Sequence, residues 1–121
     1  NEAGLKKAIA EIAELKKYFY ENVSVPGSQL EFNQELEKAL RLEDFFTIGD
    51  LMARDALNRK ESCGGHFREE SQTEEGEAKR DDKNFMYVSA WEYKGENAEP
   101  EYHKEPLKYE FIEVKTRNYK D

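Results

Sequence analysis

The chain has 121 residues and a formal net charge of −8, with 38% charged and 37% hydrophobic residues. This balance fits one modest domain with a folded part and a solvated, mobile part. It argues against nucleic-acid binding, which needs a clustered basic surface. No apolar run approaches the roughly 20 residues that span a bilayer. The start at Asn1 has no signal-peptide pattern and no Met, which suggests a piece of a longer chain.

The first half of the sequence predicts three amphipathic helices. The first ends near Asn22, before Pro26-Gly27. Ser28, with Glu31 three residues later, has the capping-box pattern and is expected to start the second helix. Asp44 is the expected cap of the third, which would run to about Ser62. Short links between such helices favour an antiparallel three-helix bundle over residues 1–68.

Each predicted helix has apolar side chains at helical spacing, and these are expected to form the core. In the first they are Leu5, Ala8, Ile9, Ile12, Leu15 and Phe19; in the second Phe32, Leu36, Ala39 and Leu40; in the third Phe45, Ile48, Leu51, Met52, Ala56 and Leu57.

The second half predicts a polar loop and then β structure. Residues 69–84 contain no apolar residue larger than Ala78 and are expected to form a mobile loop. Alternating patterns over residues 85–92 and 107–114 predict two antiparallel strands, with a long polar connection at 94–106. A two-stranded ribbon is marginal in water, so residues 85–121 are expected to pack on the bundle or on a domain absent from this sequence. The predicted fold class is mainly α, with a C-terminal β-hairpin-like extension.

The segment from Asn58 to Glu70 has the most distinctive chemistry. Cys63 and His66 are half of a zinc site at best, and a structural zinc needs four ligands, so we expect no metal. Cys63 is the single cysteine, which excludes an internal disulfide and fits a reducing compartment. Nearby cations would favour a reactive thiolate, but the dipole at a helix C-terminus opposes one, so a bystander thiol is the preferred interpretation. The glycines match no phosphate-binding loop, and no self-contained active site is expected.

Charged residues around this segment suggest contacts with another surface. His66 and Arg68 suit an anionic ligand or, as we favour, acidic residues of a docking surface. Glu61 is poorly placed near a helix C-terminus, which suggests a specific partner, most naturally an arginine. The Arg80-Asp81-Asp82 cluster is interpreted as a solvated loop rather than a site.

Two motifs resemble a known family. The pattern Arg59-x-Glu61-Ser62-x-Gly64-x-His66-x-Arg68, followed by Arg80-Asp81-Asp82-x-Asn84-Phe85, is similar to the C-terminal region of the succinate dehydrogenase/fumarate reductase flavoprotein subunit. That family usually reads R-x-E-S-R-G-A-H-x-R-x-D and then R-D-D-x-N with an aromatic residue. The end of the chain, Lys115-Thr116-Arg117-Asn118-Tyr119, also fits, and L-aspartate oxidase is a related alternative. Cys63 and Gly65 depart from the family's Arg and Ala, and extra polar residues precede Arg80.

The resemblance implies a structural and docking module without catalytic, cofactor-binding or metal-binding residues of its own. FAD-binding and capping domains would precede it and hold the flavin and the dicarboxylate-handling residues. Interdomain contacts are expected from one set of motif residues: Arg59, Glu61, Ser62, Gly64, His66 and Arg68.

The resemblance also implies what the parent chain does. It would interconvert succinate and fumarate by hydride transfer at FAD. Electrons would pass through an iron–sulfur subunit to a membrane quinone-reactive subunit, with the flavoprotein at the cytoplasmic, inner face of the plasma membrane. The alternative, from the residues alone, is an autonomous acidic helical protein-interaction module whose Arg/His loop grips a partner's carboxylates.

Overall fold

The computed structural model of the chain describes residues 1–28, 30–95 and 98–116. Its elements are α1 (Glu2–Asn22), α2 (Gln34–Asn58), α3 (Asp82–Phe85), β1 (Tyr87–Glu92) and β2 (Glu101–Pro106). The mainly helical class, with three helices and a C-terminal antiparallel hairpin, is confirmed. The chain divides into two compact units, here called the helical unit (Asn1–Asn58) and the β unit (Arg59–Asp121). No helix among the described residues is long and apolar enough to cross a membrane.

The helical unit is an antiparallel pair. Asn1 caps α1 by accepting a hydrogen bond from the Gly4 N–H at 2.8 Å, and the helix ends at Asn22 as predicted. Phe19 of α1 packs on Phe46 of α2, with ring centroids 5.8 Å apart. Ile12, two turns earlier on α1, packs against Gly49. Because the contact position on α2 rises as that on α1 falls, the two helices run in opposite directions.

The predicted second and third helices are one continuous helix, α2. Asp44 is therefore inside a helix rather than a cap, and an ordinary residue in a helix interior costs at most about 0.7 kcal/mol relative to Ala. Ser28 does not start the helix: its hydroxyl accepts the Leu30 N–H, while the Asn33 side chain accepts the Leu36 N–H at 3.1 Å. The helix also ends earlier than predicted, at Asn58 rather than near Ser62.

Joining the two helices fixes which side chains of α2 face α1. The less exposed positions recur at intervals of three and four along the helix: Leu36, Ala39, Leu42, Phe46, Gly49 and Ala53. Several residues predicted as core are instead exposed, and that part of the prediction is wrong: Leu15, Phe32, Leu40, Phe45, Ile48 and Met52. For the residues of α2, the physical reason is that two separate helices can each turn an apolar side inward, whereas one helix cannot turn two sides toward the same neighbour.

The hairpin of the β unit pairs β1 with β2, from Tyr87 opposite Pro106 to Glu92 opposite Glu101. The first predicted strand is confirmed. The second is wrong: β2 lies in the segment predicted as a polar connection, and residues 107–114 contain no strand. Tyr102 lies opposite Trp91 and supports the pairing, because the two rings pack at a tilt with their centroids 4.7 Å apart. Pro106 is tolerated at the strand end, where a missing N–H costs little.

Residues 69–84 are polar, yet their backbone is hydrogen-bonded. Gln72 and Ala78 form a β-bridge, and the Thr73 N–H donates to the Glu77 carbonyl at 2.8 Å. α3 begins at Asp82, inside the predicted loop. The predicted mobility of this segment stays a prediction. At the chain end, positions 117–119 of the family-like pattern lie outside the described residues.

Candidate functional site

The segment singled out by sequence forms a tight turn in the β unit. The Cys63 N–H donates to the His66 carbonyl at 2.8 Å, and the His66 N–H donates to the Cys63 carbonyl at 3.1 Å. Gly64 has φ +58°, a left-handed conformation that glycine adopts without steric cost. Cys63, Gly64 and Gly65 are exposed. We call residues 63–66 the glycine turn; its tip is accessible.

A buried serine closes the base of the glycine turn. Ser62 is fully buried, and its hydroxyl accepts the Arg68 N–H at 2.8 Å while donating to the Arg68 carbonyl at 3.2 Å. The Ser62 N–H donates to the Lys79 carbonyl at 2.9 Å. The His66 Nε2 lies 2.8 Å from the Arg59 carbonyl oxygen. These bonds fix the turn from both sides.

Glu61 is buried, with only 3% of its surface exposed. One carboxylate oxygen accepts from Arg59 Nη1 at 2.8 Å, and the other accepts the Asp81 N–H at 2.8 Å. The arginine partner expected for Glu61 is therefore present, and it is two residues away in the sequence. A buried carboxylate needs such pairing because desolvation disfavours an isolated charge.

Arg59 also reaches β1. Its guanidinium donates to the Phe85 and Tyr87 carbonyls, both at 2.9 Å. The same group lies 4.9 Å from the centre of the Tyr87 ring, a cation–π distance. Lys104 Nζ lies 4.6 Å from that ring centre as well. Arg59 thereby joins the glycine turn to the first strand.

The two motifs noted in the sequence meet at this network. Asp81, from the second motif, gives its N–H to Glu61 and caps α3 through the Asn84 N–H. Arg80 binds Asp82 through Nε and Nη2 at 2.6–2.9 Å. That hydrogen bonding to Asp82 raises the pKa of Arg80 further above its ordinary value. The second motif is structural, where the sequence suggested a solvated loop.

Arg68 is turned inward. Only 3% of its surface is exposed, and its Nε donates to Glu70 at 3.2 Å. The sequence did not identify the residues that join the network from β1 and β2, namely Tyr87, Ser89 and Tyr102, whose hydroxyls are linked at 3.0–3.1 Å. The period-two pattern around Tyr87 was the available signal, but it does not tell which residues the strand contacts.

The groups at the glycine turn support a structural role. Cys63 is an exposed free thiol, and the His66 Nε2 is already hydrogen-bonded to a backbone carbonyl. The Gly64–Gly65 pair lies in a β-turn instead of leading into a helix N-terminus, where a dinucleotide phosphate would be held. These residues do not fit FAD.

A second cluster, not noticed in the sequence, lies on the hairpin. Ligand-type atoms of Glu92, Glu101 and His103 lie within 4.8 Å of one another. Lys94 Nζ is 3.1 Å from Glu92 and 2.9 Å from Glu101. Hydrogen bonds from His103 and then Lys94 lower the pKa of Glu92, and hydrogen bonds to Glu101 and then Glu92 raise the pKa of Lys94. The cluster is an exposed ion network in which the single Lys94 ammonium is shared between the two carboxylates.

Comparisons with known proteins agree with the motifs. A family model described as the fumarate reductase flavoprotein C-term matches residues 1–119. The fumarate reductase flavoprotein subunit of Serratia sp. is 34% identical over 94 residues, which is 78% of this chain and 15% of that protein. The corresponding subunit of Haemophilus influenzae is 30% identical over 108 residues, 89% of this chain and 17% of that protein.

A solved structure matches as well. A mutant of Escherichia coli quinol fumarate reductase FrdA has a TM-score of 0.77 at 25% identity, covering 95% of this chain and 19% of that one. The chain therefore spans less than a fifth of the length of these relatives. With the family model covering nearly every residue, the chain belongs to the family of C-terminal domains of fumarate reductase and succinate dehydrogenase flavoproteins.

Proposed function

We propose that this chain is the structural and docking module at the C-terminus of an FAD-dependent subunit that interconverts fumarate and succinate. The family match supports this, and so do relatives named as fumarate reductase flavoprotein subunits. The observation that carries the docking role is the scarcity of buried apolar side chains. Among the described residues, only Ala53 and Tyr87 are buried hydrophobic residues.

Many large apolar side chains are correspondingly exposed, in both units. In the helical unit Phe32 is 93% exposed, and in the β unit Phe111 is 89% exposed. Soluble monomers rarely leave large contiguous apolar surface uncovered, and such surface usually meets another protein surface. The rival interpretation, an autonomous acidic interaction module, requires a domain that covers its own apolar residues. The exposure therefore favours the docking module.

The glycine turn is assigned an interdomain contact in this proposal. Arg59, Glu61, Ser62 and Arg68 act from inside the β unit by positioning the turn. Arg59 pairs with Glu61, the Ser62 hydroxyl bonds to the Arg68 backbone, and the Arg68 side chain bonds to Glu70. Gly64 and His66 belong to the turn itself, whose exposed tip is free of bulky side chains. Bare backbone of this kind permits close approach of another surface.

The partners follow from the same proposal. The FAD-binding and capping domains of the parent chain hold the flavin, which supplies the hydride chemistry. An iron–sulfur subunit takes the electrons and passes them to a membrane quinone-reactive subunit. The flavoprotein works at the cytoplasmic face of the membrane.

Two preparations test the proposal: the whole flavoprotein subunit that carries this domain, and the 121-residue chain alone. The subunit should retain FAD, reduce fumarate with a reduced viologen dye and oxidise succinate with an artificial acceptor. The 121-residue chain should retain no flavin and turn over neither substrate. A subunit without flavin or turnover would refute the enzymatic part. Flavin bound by the short chain would refute its role as a docking module without a cofactor.

A further inference from the structure

The helical unit carries a second apolar side, which α1 and α2 do not cover between them. On α2, Phe45, Ile48 and Met52 recur at the i, i+3, i+7 spacing of a single stripe, and they are 64%, 53% and 67% exposed. Each precedes a residue that faces α1: Phe46, Gly49 and Ala53. Since one residue rotates the side chain by about 100° around a helix, the stripe lies to one side of the contact with α1.

The first helix continues this surface. Tyr18 precedes the inward-facing Phe19 in the same manner, and Leu15 lies on the same side, one turn earlier; they are 62% and 57% exposed. Because the two helices run in opposite directions, a rotation of the same sign on both brings the side chains to the same side of the pair. We call this surface the apolar face: Leu15, Tyr18, Phe45, Ile48 and Met52.

The other side of the pair differs in character. On α2, the positions that follow the inward-facing residues are Thr47, Asp50 and Arg54. Asp50 and Arg54 form an ion pair at 2.6 Å. Along the second half of α2, that side is therefore polar, while the apolar face is suited to a dry, well-packed contact.

We propose that the preceding part of the flavoprotein chain packs on the apolar face, an inference that rests on the proposed function. The relatives are more than five times as long as this domain, which spans 15% and 17% of their length, so most of such a subunit lies outside it. A segment of the same chain is held at high effective concentration and needs no bimolecular association. A second copy is disfavoured, because two chains of net charge −8 repel each other.

The two methionines of the chain, Met52 and Met86, give a direct test. Met52 is 67% exposed in this domain, and Met86, in the β unit, is 40% exposed. Brief peroxide treatment of the whole purified subunit, followed by peptide mass spectrometry, measures both sulfoxide rates against the urea-unfolded protein. A covered Met52 should oxidise at least about fivefold more slowly than in the unfolded chain, since oxidation follows exposure. Oxidation at the unfolded rate, or protection that appears only at high protein concentration or only with the iron–sulfur subunit, would overturn the proposal.

A pair of substitutions in the whole subunit sharpens the test. Ile48→Asp places a charge in the apolar face and should restore rapid Met52 oxidation. Leu40→Asp is the matched control, because Leu40 is 64% exposed on the other side of α2 and should leave Met52 protected. Equal oxidation rates in the two variants would contradict the proposal. Flavin content and fumarate reduction, measured on the same unsubstituted subunit, separate the two hypotheses: a protected Met52 in a protein without flavin would reject the enzyme and keep the docking face.

Discussion

The helical unit and the β unit bury opposite kinds of side chain. In the helical unit, the one buried residue among those described is Ala53, and large aromatic and aliphatic groups remain exposed. In the β unit, the buried residues include Glu61, Ser62 and Arg68, each with hydrogen-bond partners inside the unit. The β unit thus pairs its buried polar groups internally, whereas the helical unit buries almost no side chain, and both units leave large apolar side chains exposed. In the docking proposal, exposed apolar surface, rather than the charged motif, is where another part of the protein would pack.

The largest effect is expected from Glu61→Ala. It leaves the part-buried Arg59 guanidinium and the Asp81 N–H without their carboxylate, and breaking a buried pair costs about 3–5 kcal/mol. Urea unfolding followed by the fluorescence of Trp91, the single tryptophan and a residue of β1, reports on the β unit. Glu101→Ala is the control, because its ion pair with Lys94 lies in the same unit and is exposed, and such an exposed pair contributes little to stability. Equal losses in the two variants would contradict a polar-centred β unit.

A smaller loss is expected from Phe46→Ala in the helical unit. The ring packs on Phe19 but is only part-buried, so we expect about 2 kcal/mol, below the range for fully buried phenylalanines. The urea midpoint followed by far-ultraviolet circular dichroism should fall, because this signal comes from the helices. The midpoint followed by Trp91 fluorescence should stay unchanged. If Phe46→Ala cost more than Glu61→Ala, the contrast between the two units would be reversed.

The glycine turn offers a matched pair of substitutions. An added Cβ meets nothing within 4 Å at either Gly64 or Gly65, but only Gly64 has a positive φ, +58°. Gly64→Ala should therefore cost about 1 kcal/mol from backbone strain alone. Gly65→Ala should leave the free energy of unfolding nearly unchanged. Urea titrations of the two variants measure the difference, and identical midpoints would show that the turn does not constrain Gly64.

The smallest effect is expected at the exposed hairpin network. Hydrogen bonds from His103 and Lys94 lower the pKa of Glu92, so its contribution to stability is present above the pKa of the unfolded chain and is lost as pH falls through the folded pKa. Glu92→Gln should make the acid-side loss of stability shallower, below the ordinary glutamate range. Thermal unfolding across acidic pH measures this, with Glu105→Gln on β2 as the control. An unchanged pH profile would mean that the network adds nothing in solution.

How far the sequence predicted the fold depended on how local each signal was. The end of α1 at Asn22 and the strand from Tyr87 were predictable, because caps and period-two patterns act over a few residues. The continuous helix through Asp44 was not, since a capping residue is also tolerated inside a helix when its neighbours favour helix. The strand at Glu101–Pro106 was missed because its pairing depends on Tyr102 meeting Trp91, a contact set by tertiary structure.

The candidate site was likewise predictable only where the sequence signal was local. The sequence identified Arg59, Glu61 and Arg68 and expected an arginine partner for Glu61, since a carboxylate near a helix end is electrostatically unfavourable. It expected these side chains to reach another domain. The inward orientation of Arg59 and Glu61 depends on Asp81 and on the carbonyls of Phe85 and Tyr87, at least 20 residues away in sequence. No local pattern carries that information.

The position of Arg59 has a consequence for how the β unit comes apart. Its guanidinium donates hydrogen bonds to residues that lie 26, 28 and 30 positions later in the chain. Its partner Glu61 accepts a hydrogen bond from Asp81, at the start of α3. Opening the first strand removes two acceptors of the Arg59 guanidinium, and opening the short helix removes the Asp81 N–H from its partner Glu61. The glycine turn is bonded to the same residue through the Arg59 carbonyl. We therefore expect these elements to lose protection from hydrogen exchange together, as a single cooperative block instead of by progressive fraying.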